Sequence, residues 1–163
     1  MNWRKKLVNS FVYAIKGIYY SVRNERNMRI HIVCMLYMYY YLLAYDFFVV
    51  PKVEFLIILL ANGIVISAEF FNTAIERAVD TATMKKNDTA RFAKDCAAAA
   101  VLVSVVFAVI IGFIILWQPK AFMALFNLYT QNPIKIVLFI VSVIVFLLFI
   151  FGLENLSERR KDE

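Results

Sequence analysis

The chain has 163 residues, of which 63% are hydrophobic, and a formal net charge of +6. A soluble domain balances apolar and polar residues more evenly, so this composition excludes an ordinary soluble protein and indicates a membrane protein. The length argues against two domains, and no linker rich in Pro, Gly or Ser divides the sequence. We therefore expect a single all-α membrane domain over residues 1–163.

The first predicted element is an amphipathic helix near the N-terminus. Its apolar residues fall within an arc of about 140° at 100° per residue. They are Leu7, Val8, Phe11, Val12, Ile15, Ile18, Tyr19 and Val22. The pattern predicts a helix that lies in the membrane interface with its basic side toward anionic headgroups. A plain anchor and a substrate-gating role both stay open. No small-residue cleavage site follows, so we expect the segment to be retained.

Four hydrophobic runs follow along the chain. A hydrocarbon core about 30 Å thick needs about 20 mostly apolar residues in a helix. Runs of this kind cover 30–48, 53–75, 97–117 and 134–153. Pro51 and Pro119 lie in two of the connections, and Pro133 opens the last run, where its missing N–H costs nothing. The sequence thus predicts an N-terminal surface helix followed by four transmembrane helices.

The basic residues orient these runs, because cytoplasmic flanks concentrate Lys and Arg. With the N-terminus inside, 15 of the 18 lie on the cytoplasmic side, namely Arg4, Lys5, Lys6, Lys16, Arg23, Arg26, Arg29, Arg77, Lys85, Lys86, Arg91, Lys94, Arg159, Arg160 and Lys161. The opposite side holds Lys52, Lys120 and Lys135. Both termini are therefore expected in the cytoplasm.

Basic and aromatic residues do not interleave outside the runs, so we expect no nucleic-acid partner.

A line of acidic and amide side chains marks the second run. From Glu69, the positions of Asn72, Glu76 and Asp80 rotate by about 300°, 340° and 20°, so all four share one helix face. Asn62 extends the line deeper. Glu69 lies about five residues inside the expected boundary, where an ionised carboxylate costs about 2 kcal/mol or more unless it is paired or hydrated. A polar seam that only joins helices is the simpler explanation, but like charges repel and make poor seams. The line therefore favours a functional site.

Two further clusters lie at the same end of the runs. Glu25 stands among basic residues before the first run, and Arg91, Lys94 and Asp95 face nearly one way before the third. Carboxylate oxygens suit Mg²⁺, and a lysine suits phosphate. Such an inventory fits phosphoryl transfer, in which the protein mainly positions groups and neutralises charge. The four glycines are scattered and form no phosphate-binding loop.

Three other residues are expected to have structural roles. His31 is the single histidine and is expected to donate a hydrogen bond to another helix or at headgroup level. Cys34 and Cys96 have no metal-type spacing and are expected to be small core residues.

Two sequence motifs resemble those of the prokaryotic diacylglycerol kinase family. The run 69–80, EFFNTAIERAVD, resembles the signature ExxNTAIExxVD, and the run 93–102, AKDCAAAAVL, is similar to the motif AKDxxAxAVL. The match continues in Ser10, Phe11, Ala14, Gly17 and the run 25–31, ERNMRIH. The resemblance covers about residues 5–117 and implies that they form a lipid kinase core. Residues 118–163 add a C-terminal transmembrane helix and a basic tail without a matching motif.

The resemblance implies a homotrimer with active sites between subunits, ATP as phosphoryl donor, Mg²⁺, and a membrane lipid alcohol as acceptor. It implies these roles: Glu69 as general base, Asn72 as the residue that orients the reacting groups, Glu25 and Glu76 as metal and nucleotide ligands, Lys94 on phosphates, Asp80 and Asp95 near the nucleoside, and Ser10, Ala14 and Glu69 on the lipid.

The predicted function is that of an ATP-dependent lipid kinase of the bacterial cytoplasmic membrane with its active site on the cytoplasmic side. The run 25–31 looks like the Gram-positive branch of the family, whose members resemble undecaprenol kinases, so undecaprenol is expected ahead of diacylglycerol. A small membrane transporter or channel is the alternative, since such proteins also carry buried carboxylates. A catalytically inactive scaffold is a third.

Overall fold

The computed structural model describes residues 3–83 and 87–159, with side chains up to residue 152, and these residues form helices and no strand. The helices are α1 (Trp3–Asn24), α2 (Arg26–Ala44), α3 (Lys52–Ala82), α4 (Asp88–Leu116), α5 (Pro119–Thr130) and α6 (Pro133–Arg159). The all-α prediction is confirmed. Lys85, Lys86, Arg160 and Lys161, which contribute to the predicted charge asymmetry, lie outside the described residues.

Local chemistry sets where several of these helices begin. Glu25 has extended backbone angles (φ −106°, ψ 115°) and separates α1 from α2. Asn87 caps α4 because its side-chain oxygen accepts a hydrogen bond from the Thr89 N–H at 2.8 Å. α5 and α6 each begin with a proline, a residue that suits the first helical position.

Three helices are long and apolar enough to cross a membrane: α3, α4 and residues 133–152 of α6. They correspond to the second, third and fourth predicted spans, which are thereby confirmed as candidate spans. The first predicted span, 30–48, forms α2, which begins earlier and ends at Ala44. α2 is not among the three because its tyrosines, His31 and Arg29 lower its hydropathy. Its membrane crossing stays a prediction.

The helix α5 was not predicted. The segment between the third and fourth runs was expected to be a connection, since it is too short to span a bilayer. Its 12 residues nevertheless form a helix that packs against α6. Pro119 at its start, which we interpreted only as a break, is also a helix-start signal.

The helices pack around one buried face of α3. α3 and α4 form an antiparallel hairpin, and α2 lies against α3 on one side and α6 on the other. The buried residues of α3 recur with helical periodicity and are Ile58, Ala61, Val65, Glu69 and Thr73. Much of the remaining apolar surface is exposed, as expected where lipid replaces a protein neighbour.

Arg29 joins three helices at the cytoplasmic end of α2. Its side chain is 1% exposed, and its Nε donates to the Ile150 carbonyl of α6 at 2.9 Å. Its Nη1 donates to the carbonyls of Val22 and Arg23 at the end of α1, at 3.2 and 2.9 Å. α1 ends there, so these carbonyls lack helical partners and accept from the guanidinium instead. Arg29 thus fixes both α1 and α6 to α2.

The prediction of two buried cysteines is wrong. Cys34 and Cys96 are both free and exposed. In a membrane bundle a small apolar residue can face lipid as readily as another helix, so its apolar character does not predict burial.

Candidate active site

The predicted polar line continues the buried face of α3 toward its C-terminal end. Along it, Glu69 is 2% exposed, Asn72 and Glu76 are half-buried, and Asp80 is exposed. The line therefore runs from a dry position inside the bundle to one that water can reach. A membrane-embedded reactant and a water-soluble reactant could approach it from opposite ends.

Glu69, the deepest carboxylate of the line, contacts His31 of α2. The distance from His31 Nε2 to Glu69 Oε1 is 3.2 Å. An ionised carboxylate can only accept hydrogen bonds, so with an ionised Glu69 the imidazole N–H is the donor. The predicted interhelix hydrogen bond of His31 is confirmed. Its partner was not predicted, although His31 and Glu69 both lie toward the cytoplasmic ends of their predicted runs, a signal that could have linked them.

A second contact of the same kind lies deeper on the same face. Asn62 Nδ2 donates to the Tyr39 hydroxyl of α2 at 3.0 Å. Asn62 was predicted to extend the polar line, but its role in the structure is to join α3 to α2. Both Asn62 and Glu69 therefore point their polar groups at α2.

Asn72 presents an unused acceptor beside a carboxylate. Its Nδ2 donates to Glu76 Oε1 at 3.1 Å, one turn further along α3. The reverse amide orientation would place two oxygens together, so this hydrogen bond fixes the amide. Asn72 Oδ1 is buried and has no partner among the described residues. A buried acceptor without a donor is costly and indicates a missing donor or cation.

Glu25 contacts Arg77 of α3, near Glu76 and toward the cytoplasmic end of the polar line, which is the end at which it was predicted to lie. Its Oε1 is 3.6 Å from Arg77 Nη2, and Arg77 follows Glu76 directly in α3. The Glu25 side chain is 24% exposed, so water-soluble groups can reach it. The extended backbone of Glu25 at the corner between α1 and α2 brings its carboxylate to α3.

Lys94 and Asp80 pair across the α3–α4 hairpin. Lys94 Nζ donates to Asp80 Oδ1, and both side chains are at least one-third exposed. Asp95 instead faces Arg91 one turn away on α4, with Arg91 Nε 3.7 Å from Asp95 Oδ2, and both are largely exposed. These groups lie at the wet end of the line, where charged side chains can rearrange around a ligand.

The remaining predicted site residues, Ser10 and Ala14, lie on the exposed helix α1. The Ser10 hydroxyl donates to the Lys6 carbonyl of its own helix at 3.0 Å. Their contact with a lipid therefore stays a prediction.

The carboxylates do not form a ready cage for a metal. Within the described residues, no three His, Cys, Asp or Glu side chains are grouped so that they could hold an ion by themselves. Mg²⁺ needs no such cage, because it commonly takes one or two carboxylates and completes its shell with phosphate oxygens and water. The donor set of Glu25, Glu76 and the free Asn72 oxygen fits that pattern.

An open groove of about 780 Å³ runs between α3 and α4 beside Asn72. Its walls are mainly aliphatic, and its lining includes the small residues Gly63, Ser67 and Ala68. The groove places apolar surface next to the polar line.

Comparison with known proteins identifies the family. The family model described as prokaryotic diacylglycerol kinase matches residues 12–116. The chain is 38% identical over 121 residues to an undecaprenol kinase of Bacillus subtilis, covering 73% of this chain and 94% of that protein. It is 34% identical over 114 residues to a diacylglycerol kinase of Synechocystis, covering 69% of this chain and 63% of that relative, less than two-thirds of its length. No solved structure matches the chain.

The matched region contains Glu69, Asn72, Glu76, Lys94 and the other α3 and α4 groups of the site, while α5 and α6 lie entirely beyond it. The match decides against a transporter or channel. The chain belongs to the prokaryotic diacylglycerol kinase family and is a membrane lipid kinase, a phosphotransferase.

Proposed function

We propose that this kinase transfers the γ-phosphoryl group of ATP to the hydroxyl of undecaprenol, with Glu69 as the general base. The observation that carries the proposal is Glu69 itself, a carboxylate 2% exposed on a membrane-spanning helix, held by His31 at 3.2 Å and one turn from Asn72. A carboxylate so deep in the bundle is suited to a reactant that arrives from the lipid. The rest of the polar line becomes progressively wetter, which suits a nucleotide.

Glu69 takes the proton of the lipid hydroxyl as the reaction proceeds. The hydroxyl oxygen forms a bond to the γ-phosphorus, the bond from that phosphorus to the bridging oxygen of ADP breaks, and the proton passes to a Glu69 carboxylate oxygen. His31 is a positioning residue, because its N–H fixes one carboxylate oxygen and leaves the other to face the substrate. Asn72 orients the reacting groups with its free buried oxygen.

Glu25 and Glu76 are the proposed ligands of Mg²⁺, and Asn72, whose Nδ2 donates to Glu76, has a buried Oδ1 without a partner among the described residues that is a further hard donor. The ion, when bound with ATP, neutralises phosphate charge. The structural role of this chain is to supply two carboxylates, one from the corner between α1 and α2 and one from α3. Arg77 restrains Glu25 and would release or share it when a nucleotide binds.

Lys94 is the proposed phosphate ligand. Its ammonium group pairs with the exposed Asp80, and polyphosphate would compete for it as a stronger anion. Asp80 and Asp95 then lie on the nucleoside side of the site. This order agrees with the increasing exposure from Glu69 to Asp80.

The proposed location is the bacterial cytoplasmic membrane, with the site at the inner leaflet and both termini in the cytoplasm. The uneven distribution of Lys and Arg supports this orientation. This orientation requires that α2 also crosses the membrane, as a fourth spanning helix. A homotrimer is proposed from the family resemblance, and the uncovered groove beside Asn72 supports a second copy lying next to the site.

The choice of undecaprenol is supported by the relative from Bacillus subtilis, which aligns over 94% of its length. The relative named diacylglycerol kinase aligns over 63% of its length, so diacylglycerol is the second candidate acceptor. Both are alcohols, and the chemistry at Glu69 is the same for each. The difference lies in how the lipid tail reaches the site.

The acceptor is tested with the purified protein in mixed micelles, labelled ATP and Mg²⁺, and each lipid alcohol at matched mole fractions. We expect kcat/KM for undecaprenol to exceed that for diacylglycerol by about tenfold or more, a ratio within reach of differences in tail binding. A ratio below one would assign diacylglycerol as the acceptor. Absence of transfer to either alcohol by the folded protein would contradict the proposed function.

A further inference from the structure

A second cavity lies far from Glu69, at the opposite end of α2. It has a volume of about 500 Å³ and lies between α2, the end of α5 and the first half of α6. Its polar lining is dominated by Tyr37, Tyr40, Tyr41, Tyr45, Tyr129 and Lys135. Tyr41 is ten residues beyond His31, which corresponds to about 15 Å along the helix. The kinase site does not use this cavity.

Hydroxyl protons outnumber their acceptors in this cavity. Tyr37 pairs with Ser142 Oγ at 2.8 Å, and Ser142 donates to the Phe139 carbonyl at 2.7 Å, so Tyr37 can donate to Ser142 and both protons are then used. The hydroxyls of Tyr41 and Tyr129 share one hydrogen bond.

Tyr40 and Tyr45 also share one hydrogen bond, at 3.2 Å. Each phenol carries one proton, and a bond between two phenols uses only one of the two. Each of the two tyrosine pairs therefore keeps a proton without an acceptor among the described residues.

Lys135 adds a positive charge to these spare donors. Its Nζ lies 5.4 Å from the centre of the Tyr45 ring, and no carboxylate of the described residues forms an ion pair with it. The cavity thus combines an ammonium group with two hydroxyl protons and has no matching anion. Its other walls include Leu36, Leu138 and Phe146, which are apolar.

We propose that this cavity binds the headgroup of an anionic phospholipid. The phosphate would accept from Lys135 and the spare phenol protons, while the aliphatic walls contact the first carbons of the lipid chains. Tyrosines at a membrane interface are common by themselves. Here, however, they are paired around one cavity that also contains a lysine. In the orientation proposed above, this cavity lies in the leaflet opposite the active site. The set of hydrogen-bond donors in the cavity is the same whichever leaflet holds it.

The test is thermal unfolding of the purified full-length protein in neutral detergent, with phosphatidylglycerol, phosphatidylcholine or inorganic phosphate added. Saturating phosphatidylglycerol is expected to raise the unfolding midpoint by about 5 °C, and the two other additions are not. Lys135→Gln should lose more than half of this shift. Lys120→Gln is the matched control, because Lys120 lies near the same end of the bundle on α5 but does not line the cavity, and it should keep the full shift.

An equal shift with phosphatidylcholine, or a full shift in Lys135→Gln, would overturn the proposal. A shift with inorganic phosphate that Lys135→Gln removes would assign the cavity to a soluble anion and overturn the lipid. Should Lys135→Gln fail to fold, the double substitution Tyr41→Phe with Tyr129→Phe serves instead, since it removes both hydroxyls of one pair together with its spare proton and should reduce the shift. Kinase turnover is measured on the same samples, so an inactive wild-type protein would count against the proposed function and leave the lipid result intact.

Discussion

His31 gives the sharpest test of how the site positions its base. Its Nε2 lies 3.2 Å from a carboxylate that is 2% exposed, so the contact is a hydrogen bond to a buried acid. A hydrogen bond to a charged group contributes about 1.5–3 kcal/mol. If that free energy serves to orient Glu69, its loss lowers kcat by about tenfold to a hundredfold, since about 1.4 kcal/mol corresponds to tenfold in rate.

Two substitutions of His31 separate the loss of its N–H donor from the change in its side-chain shape. His31→Phe keeps a planar ring but removes the N–H donor, and we expect it to show the full loss in kcat with an unchanged KM for MgATP. His31→Gln restores an N–H donor and should recover most of the activity. Both are measured with labelled ATP and undecaprenol in micelles, with kcat and KM determined separately.

Tyr39→Phe is the matched control, because it removes a hydrogen bond to Asn62 on the same α2–α3 face without touching Glu69. It should cost about 1 kcal/mol of stability and leave kcat within about twofold. A wild-type kcat in His31→Phe, or equal losses in the Phe and Gln variants, would refute the positioning role.

Three further predictions concern Arg29, Lys94 and Glu76. Arg29→Ala should lower the free energy of unfolding by about 3 kcal/mol or more, measured by denaturation in mixed micelles, because it removes a charged donor from three carbonyls and leaves them without it. Lys94→Gln should raise the KM for MgATP by about tenfold or more with an unchanged unfolding midpoint, since an exposed pair with Asp80 contributes about 0–1 kcal/mol to stability. Glu76→Gln should raise the Mg²⁺ concentration for half-maximal turnover by about tenfold or more, measured by Mg²⁺ titration at fixed ATP, if Glu76 is a metal ligand.

Arg29→Ala has a matched control, and each of the three predictions has an outcome that would contradict it. Arg4→Ala, on the exposed start of α1, should change stability by less than about 0.5 kcal/mol. A stable Arg29→Ala protein would show that α6 and α1 dock without the guanidinium. A Lys94→Gln protein with normal KM would remove Lys94 from the phosphate site. An unchanged Mg²⁺ dependence in Glu76→Gln would show that Glu76 is not a ligand of Mg²⁺.

Much of the fold and part of the site follow from helical periodicity. Lengths of apolar sequence predicted α3, α4 and α6, and rotation by 100° per residue placed Glu69, Asn72 and Glu76 on one face of one helix. These predictions succeed because they concern positions within a single helix, whose geometry is fixed by its backbone hydrogen bonds. Predicting these features did not require knowing how the helices pack against one another.

Contacts between helices could not be predicted in the same way. The pairing of Glu69 with His31 depends on how α2 slides and rotates against α3, and neither quantity is encoded in the periodicity of one helix. Burial was also misjudged at Cys34 and Cys96, because lipid and protein interior are both apolar and select the same residues. The short helix α5 escaped a search for runs long enough to cross a bilayer.

The most direct test of the account is the turnover of Glu69→Gln beside that of Glu54→Gln. Both replace a carboxylate of α3 by its isosteric amide, but Glu54 lies in the first turn of the helix, far from Asn72 and Lys94. Removal of a general base costs about a hundredfold or more in rate. We predict that folded Glu69→Gln loses at least this much transfer from labelled ATP to lipid while Glu54→Gln retains wild-type turnover. Transfer at the wild-type rate by Glu69→Gln would contradict the assignment of Glu69 as the base.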